Sequence, residues 1–208
     1  MIGVIDYGMG NLRSVEQALE YLKTPHKKIL TPDDLNDCLG LILPGVGAFG
    51  DCMNNLQKAG LISAIHEWVT ADRPFLGICL GYQALFESSE ESPGIPGLKL
   101  LQGRVVRFKL STLKVPHMGW NTITITNPHS PIVYGLREQD SVYFVHSYYP
   151  EGLLDETVIL HCTYGVTFAA AAGHKNLFGT QFHPEKSQRV GLKILENFIH
   201  LSHTALHS

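Results

Sequence analysis

In the stretch PFLGICLGYQALF, from Pro74 to Phe86, Cys79 lies between Gly77 and Gly81. An apolar strand runs straight into a helix there, so the chain must turn sharply. A residue on that turn is lifted out of the sheet at its carboxyl edge, where open α/β sheets place their sites. Gly77-Ile78-Cys79-Leu80-Gly81 has the form of a nucleophile elbow, G-x-S-x-G with sulfur in place of oxygen. Side chains at 77 and 81 would clash with neighbouring segments at the bend. The helix that follows aims its N-terminus at the sulfur, which favours the thiolate. The backbone N–H of Leu80 points where an oxyanion would form. Cys38, Cys52 and Cys162 have no such context and read as buried structural thiols.

A thiol nucleophile wants a base. Of the eleven histidines, His183 in GTQFHPEKSQ stands out. It closes the apolar strand NLFGTQF, and Pro184 stops that strand. Glu185, two residues on, faces the same way in an extended segment. Its carboxylate would hold the ring and favour the charged form. Cys79, His183 and Glu185 then supply nucleophile, base and orienter. Acyl transfer also needs oxyanion donors. Gly45, Val46 and Gly47 follow the strand LILP, and glycine lets their N–H groups approach a ligand closely. A phosphate loop or a plain turn would use the same residues. Gly8-Met9-Gly10 in DYGMGN lacks the third glycine of a dinucleotide fingerprint.

The frame for these residues alternates strand and helix. MIGVID, HKKIL, LGLILP and PFLGI are short apolar strands. LRSVEQALEYLK spaces Leu12, Val15, Leu19 and Leu22 helically, and LISAIHEWVTA and YQALFESS read as further helices. Alternation with near-continuously apolar strands predicts a parallel sheet covered on both faces. The second half turns to short strands: GRVVRFKL, NTITIT, SVYFVHSYY, TVILHCTYG, TFAAAAGH and LFGTQF. RVGLKILENFIHLSH returns to a helix. The expected fold is a single three-layer α/β domain. Its central sheet is mixed but mostly parallel, flanked by helices, and flavodoxin-like.

Composition narrows the function classes. With 44% hydrophobic and 17% charged residues in 208, the chain suits one soluble globular domain. A net charge of −3 without a basic stripe argues against nucleic acid and anionic membrane. No apolar run reaches a membrane span, and Asp6 comes too early for a secretion signal. Four scattered cysteines without a C-x-x-C pair argue against zinc and disulfides and for a reducing compartment, hence cytoplasm. His200, His203 and His207 have helix-like spacing but no thiol or carboxylate nearby, and read as a frayed helix end. No metal or cofactor is expected.

GICLGYQALFE together with GTQFHPEKS resembles the class I (triad) glutamine amidotransferases. The resemblance implies that Cys79 attacks the side-chain amide of glutamine and that His183, oriented by Glu185, moves the protons. It further implies oxyanion donors at Leu80 and Gly45–Gly47, and a substrate grip from Gln83 and the backbone around Ser147 and Tyr148 in VHSYY. IDYGMGNLRSV, LPGVGAFGD, VPHMGWN, YFVHSYY and FHPEKSQ are similar to one family of the class, the glutaminase subunits of imidazole glycerol phosphate synthase. That likeness runs from residue 2 to about residue 200, so one glutamine amidotransferase domain would fill 1–208, with about 201–208 as a terminal tail. It implies glutamine hydrolysis to glutamate and ammonia in a heterodimer with a (β/α)₈-barrel cyclase. The cyclase would use the ammonia to make imidazole glycerol phosphate and an aminoimidazole carboxamide ribonucleotide in histidine biosynthesis. It also implies an interface at Asn11, Met118, Trp120 and Lys186, although a tryptophan fills a core as readily. Hydrolysis should be weak alone and rise with the liganded cyclase, through a peptide reorientation at Val46. The glutaminase subunit of another ammonia-dependent synthase, or a stand-alone γ-glutamyl hydrolase, would carry the same three residues.

Overall fold

A computed structural model describes residues 1–9 and 11–205. Gly10, His207 and the last part of the expected tail lie outside the described residues. The first half runs β1 (Ile2–Ile5), α1 (Leu12–Tyr21), β2 (His26–Ile29), β3 (Gly40–Leu43), α2 (Phe49–Lys58), α3 (Leu61–Thr70), β4 (Phe75–Ile78) and α4 (Leu80–Gln83). It continues through β5 (Ser88–Ser89), β6 (Arg104–Arg107), β7 (His117–Thr122), β8 (Thr124–Ile125), β9 (Ser141–His146) and β10 (Tyr148–Glu151). It ends with β11 (Val158–Tyr164), β12 (Val166–His174), β13 (Leu177–Thr180) and α5 (Gln188–Thr204).

The central sheet has the order β2-β1-β3-β4-β13-β12-β11-β8. Pairing is parallel from β2 through β13 and antiparallel from β13 to β8. Alternate strand residues feed two cores. Ile2, Val4, Ile42, Leu76 and Ile78 meet α1 and α5 through Val15, Leu19, Ile194, Leu195 and Phe198. Ile5, Leu41, Leu43 and Phe75 meet α2 and α3 through Phe49, Leu56, Leu61, Ile65 and Trp68. Strands buried on both faces explain the continuous apolar runs in the sequence. The result is the expected three-layer α/β arrangement.

The elements differ from the sequence reading in three places. Helix α2 occupies Phe49–Lys58, a stretch mostly left unassigned after the glycine-rich loop; its buried Phe49, Cys52, Met53 and Leu56 have helical spacing. The helix expected over YQALFESS is the four-residue α4, and Ser88–Ser89 is a strand. The carbonyls of Ala84, Leu85 and Phe86 accept from the amides of Leu98 to Leu101, so no further helical turn forms. The later strands do not all join the central sheet. A three-stranded sheet β10-β6-β5 and a two-stranded ribbon β7-β9 stand apart from it.

One adjacency matters most for chemistry. β4 and β13 are parallel neighbours, with Ile78 opposite Thr180. Their carboxyl ends therefore deliver Cys79 and His183 to the same edge, although the two are 104 positions apart in the chain.

Candidate active site

Cys79 leaves the sheet with φ +54° and ψ −105°, a conformation that a side-chain-bearing residue rarely adopts. Its N–H donates to the Thr180 carbonyl at 2.7 Å, which anchors the bend to β13. A Cβ on Gly77 would lie 2.6 Å from the Gly81 carbonyl oxygen, and one on Gly81 would overlap the Leu43 carbonyl. The elbow therefore needs both glycines for the reason read from the sequence. The following helix is only four residues long, so it carries little of the dipole expected of it. Leu80 is its first residue, and its N–H has no acceptor within the helix.

His183 and Glu185 lie on a tight turn rather than an extended segment: the chain enters a single 3₁₀ turn at Pro184–Lys186. That turn brings His183 Nδ1 to 2.8 Å from Glu185 Oε1, with the two side chains 2% and 3% exposed. Ser187 fixes the turn. Its hydroxyl donates to the His183 carbonyl at 2.6 Å and accepts from the Tyr143 N–H at 2.9 Å. The His183 N–H in turn donates to the Tyr143 carbonyl. Burial by itself disfavours a charged His183. The Cys79 sulfur and the Glu185 carboxylate outweigh it, and the pKa of the ring is raised. Nε2 of His183 is buried and has no hydrogen-bond partner, so it is free for a reacting proton.

A cleft of about 340 Å³ opens over the sulfur, lined in part by Val46, Gly47, Cys79, Leu80, Gln83, Ser147, Tyr148 and His183. Gly45 lies just behind: a Cβ there would meet Leu80 Cβ at 2.7 Å and the Gly81 nitrogen at 2.8 Å. The close approach of this loop to the elbow depends on that glycine. Among the described residues the N–H groups of Gly45, Val46 and Gly47 donate no hydrogen bond. Gln83 donates Nε2 to the Tyr148 carbonyl at 3.0 Å and to Gln181 Oε1 at 3.1 Å. Its amide nitrogen is thus held by the protein.

Three lining or supporting residues escaped the sequence reading. Gln181 sits inside GTQFHPEKS, and its Nε2 lies 3.9 Å from Cys79 Sγ. His146 lines the cleft beside Ser147. Glu91 adds the one carboxylate among the lining residues, and accepts from the Phe49 N–H at 2.8 Å through Oε2. Nothing in ESSEESPG distinguishes Glu91 from its acidic neighbours.

The four residues expected at an interface are distributed as follows. Met118 and Trp120 are adjacent outward positions on β7, 62% and 51% exposed, so Trp120 is not a core residue. Asn11 is exposed at the start of α1 and makes no side-chain cap. Lys186 is half-buried beside Ser14, Gln17 and Gln188. Gln188 also lines the shallow groove that holds Trp120, so the two concavities adjoin. Of the C-terminal histidines, His200 and His203 lie within α5, which continues to Thr204. No helix among the described residues is long and apolar enough to cross a membrane.

An elbow thiol, a buried His–Glu pair and unpaired loop amides over one cleft describe an acyl-transfer site. A family model for class I glutamine amidotransferases matches residues 4–201, and the chain belongs to that class. Solved structures agree in fold: PurLQS from Thermotoga maritima superposes with a TM-score of 0.78 at 20% identity, covering 96% of this chain and 97% of its own. Closer in sequence is the imidazole glycerol phosphate synthase subunit HisH of Halalkalibacterium halodurans, 49% identical over 95% of this chain and 94% of the relative. The same subunit of Bacillus subtilis is 49% identical over 95% of each. Within the class, the chain is a member of the HisH family.

Proposed function

We propose that the chain is the glutaminase subunit of imidazole glycerol phosphate synthase, with Cys79, His183 and Glu185 as its catalytic triad. The observation that carries this reading is the buried His183–Glu185 pair delivered by β13 to the elbow sulfur of β4, in a HisH-family chain. Cys79 Sγ attacks the side-chain carbonyl carbon of glutamine. Nε2 of His183 holds the thiol proton and passes it to the departing nitrogen, which leaves as ammonia. The N–H groups of Leu80 and of the Gly45–Gly47 loop receive the oxyanion. Water then attacks the glutamyl thioester, its proton going to His183, and glutamate leaves as the thiol re-forms. Gln83 Oε1 and the backbone at Ser147 and Tyr148 hold the substrate amide and carboxylate. The Glu91 carboxylate, facing the same cleft, suits the substrate ammonium.

Ammonia released into water would be protonated and lost, so a second subunit must receive it. We assign that partner as a (β/α)₈-barrel cyclase in a heterodimer, in the cytoplasm, with Asn11, Met118, Trp120 and Lys186 on the docking face. The exposed Met118 and Trp120 support a subunit rather than a free-standing hydrolase, because a large apolar pair in the open marks an interaction surface. A reorientation of the Val46 peptide, beside Gly47 at φ +100°, would switch the oxyanion donors on. Acid-quenched protein taken during turnover should carry a glutamyl adduct on Cys79, absent from Cys79→Ala. Turnover that survives Cys79→Ala would overturn the assignment.

A further inference from the structure

In the Tyr148 wall of the cleft, which His146 itself helps to line, sits a buried histidine pair that the mechanism above does not use. His117 on β7 and His146 on β9 are direct cross-strand partners. His117 Nδ1 is 2.9 Å from His146 Nε2, and His146 Nδ1 is 2.8 Å from the Tyr148 carbonyl oxygen. At the other end, Asn121 Nδ2 is 3.3 Å from His117 Nε2. The His117 ring stacks on Phe144 and on Tyr164, with centroids 4.7 and 4.0 Å away.

Backbone groups fix the direction of this chain from both ends. The Thr163 carbonyl accepts from Asn121 at 3.0 Å, and the Thr122 N–H donates to Asn121 Oδ1 at 2.8 Å. The Asn121 amide is therefore oriented with its NH₂ toward His117, and His117 Nε2 must accept. A neutral His117 then carries its proton on Nδ1 and donates to His146 Nε2. His146 in turn carries its proton on Nδ1 and donates to Tyr148. Read from the other end, the Tyr148 carbonyl can only accept, which demands the same two tautomers. The two readings agree at every link. Beyond Tyr148 the chain continues: Gln83 donates to that same carbonyl and to Gln181, and Gln181 reaches Cys79.

We propose that His117 and His146 are positioning residues, a one-way hydrogen-bonded relay that ties the exposed strand β7 to the Tyr148 wall of the thiol cleft. The relay fixes the Tyr148 carbonyl, and with it the side-chain orientation of Gln83, from the strand that presents Met118 and Trp120 outward. Desolvation by burial holds both imidazoles far below their ordinary range, His117 at about 4 and His146 at about 3, so the neutral forms that the geometry requires are the ones present. For His146 the hydrogen bond to Tyr148 opposes that effect, while His117 and His183 reinforce it.

The role in catalysis rests on the glutaminase reading; the tautomers do not. ¹⁵N NMR of histidine-labelled protein should show two rings protonated at Nδ1 alone and silent between pH 5 and 8. A proton on Nε2 of either ring, or titration in that range, overturns the relay. His117→Phe keeps the stacked ring but leaves His146 Nε2 without its donor, so the His146 ring is held from the Tyr148 side alone. In the complex with the cyclase, kcat/KM for glutamine should fall roughly tenfold, the effect of one buried hydrogen bond. Alkylation of Cys79 by iodoacetamide should be unchanged. His117→Asn, which restores a donor where Nδ1 stood, should recover most of the loss. An unaltered kcat/KM in His117→Phe, or an equal loss in His117→Asn, contradicts the proposal. A wild-type complex without glutaminase activity would instead defeat the functional reading and leave the NMR result standing.

Discussion

His183 is the residue where several opposing effects meet. Burial favours its neutral form, and the sulfur and the carboxylate favour its charged form and prevail. Glu185→Gln removes one of the two stabilisers, so the ring's pKa should drop. Imidazolium would then be lost at lower pH, and the alkaline limb of the glutaminase pH profile should move downward, with kcat lowered by roughly 10²-fold or more. An unmoved limb would mean that Glu185 merely fills space. Cys79→Ala should abolish turnover while leaving thermal stability nearly unchanged, because the thiol makes only long contacts of 3.9 Å. That Cys79, His183 and Glu185 share one site was legible in the sequence because the signals are local: two glycines about a cysteine, and His-Pro-Glu after an apolar strand. Gln181 and Glu91 were not, since their roles come from neighbours 102 and 42 positions away. The reason given for Glu185 also failed in detail, because Pro184 starts a turn where an extended segment was read.

Among the elements, β4, the elbow and β13 do the positioning. Gly81→Ala would drive a methyl group into the Leu43 carbonyl of β3, a contact that backbone must relieve. We expect a loss of about 1–3 kcal/mol in denaturant unfolding, with activity falling further as the sulfur moves. β7 carries the opposite kind of residue. Trp120→Ala should leave the isolated chain within about 0.5 kcal/mol of its stability, since half of the ring is in solvent, yet weaken cyclase binding at least about tenfold by calorimetry. Equal losses in both measurements would make Trp120 structural. The apolar pattern identified β1, β3 and β4 as continuous runs because each is buried on both faces. It could not say that β6, β7, β9 and β10 leave the central sheet, because alternation reports a half-buried strand without naming its partner. Helix α2 went unassigned although its apolar spacing was present, because the glycines around its start obscure where it begins.

For the molecule as a whole, the buried neutral histidines impose a pH dependence on folding. His117 and His146 have folded pKa values of about 4 and about 3, below the ordinary 6.5. Between about pH 6.5 and pH 3 the unfolded chain binds more protons than the folded one, so stability must rise with pH across that window. The melting temperature should therefore fall as pH drops from 6.5 toward 4, and His117→Phe should flatten part of that slope. The same molecule presents its thiol cleft, the relay and the exposed β7 pair within one edge of a three-layer domain, which is the arrangement a subunit needs if a partner is to govern its chemistry. The central claim is that this chain hydrolyses glutamine through Cys79 under the control of a cyclase partner. Glutamate release should be measured with the chain alone, and then with the barrel cyclase and its nucleotide ligand added. The account predicts slow release alone and a large rise with both. Fast release from the chain alone, unchanged by the liganded cyclase, would contradict it.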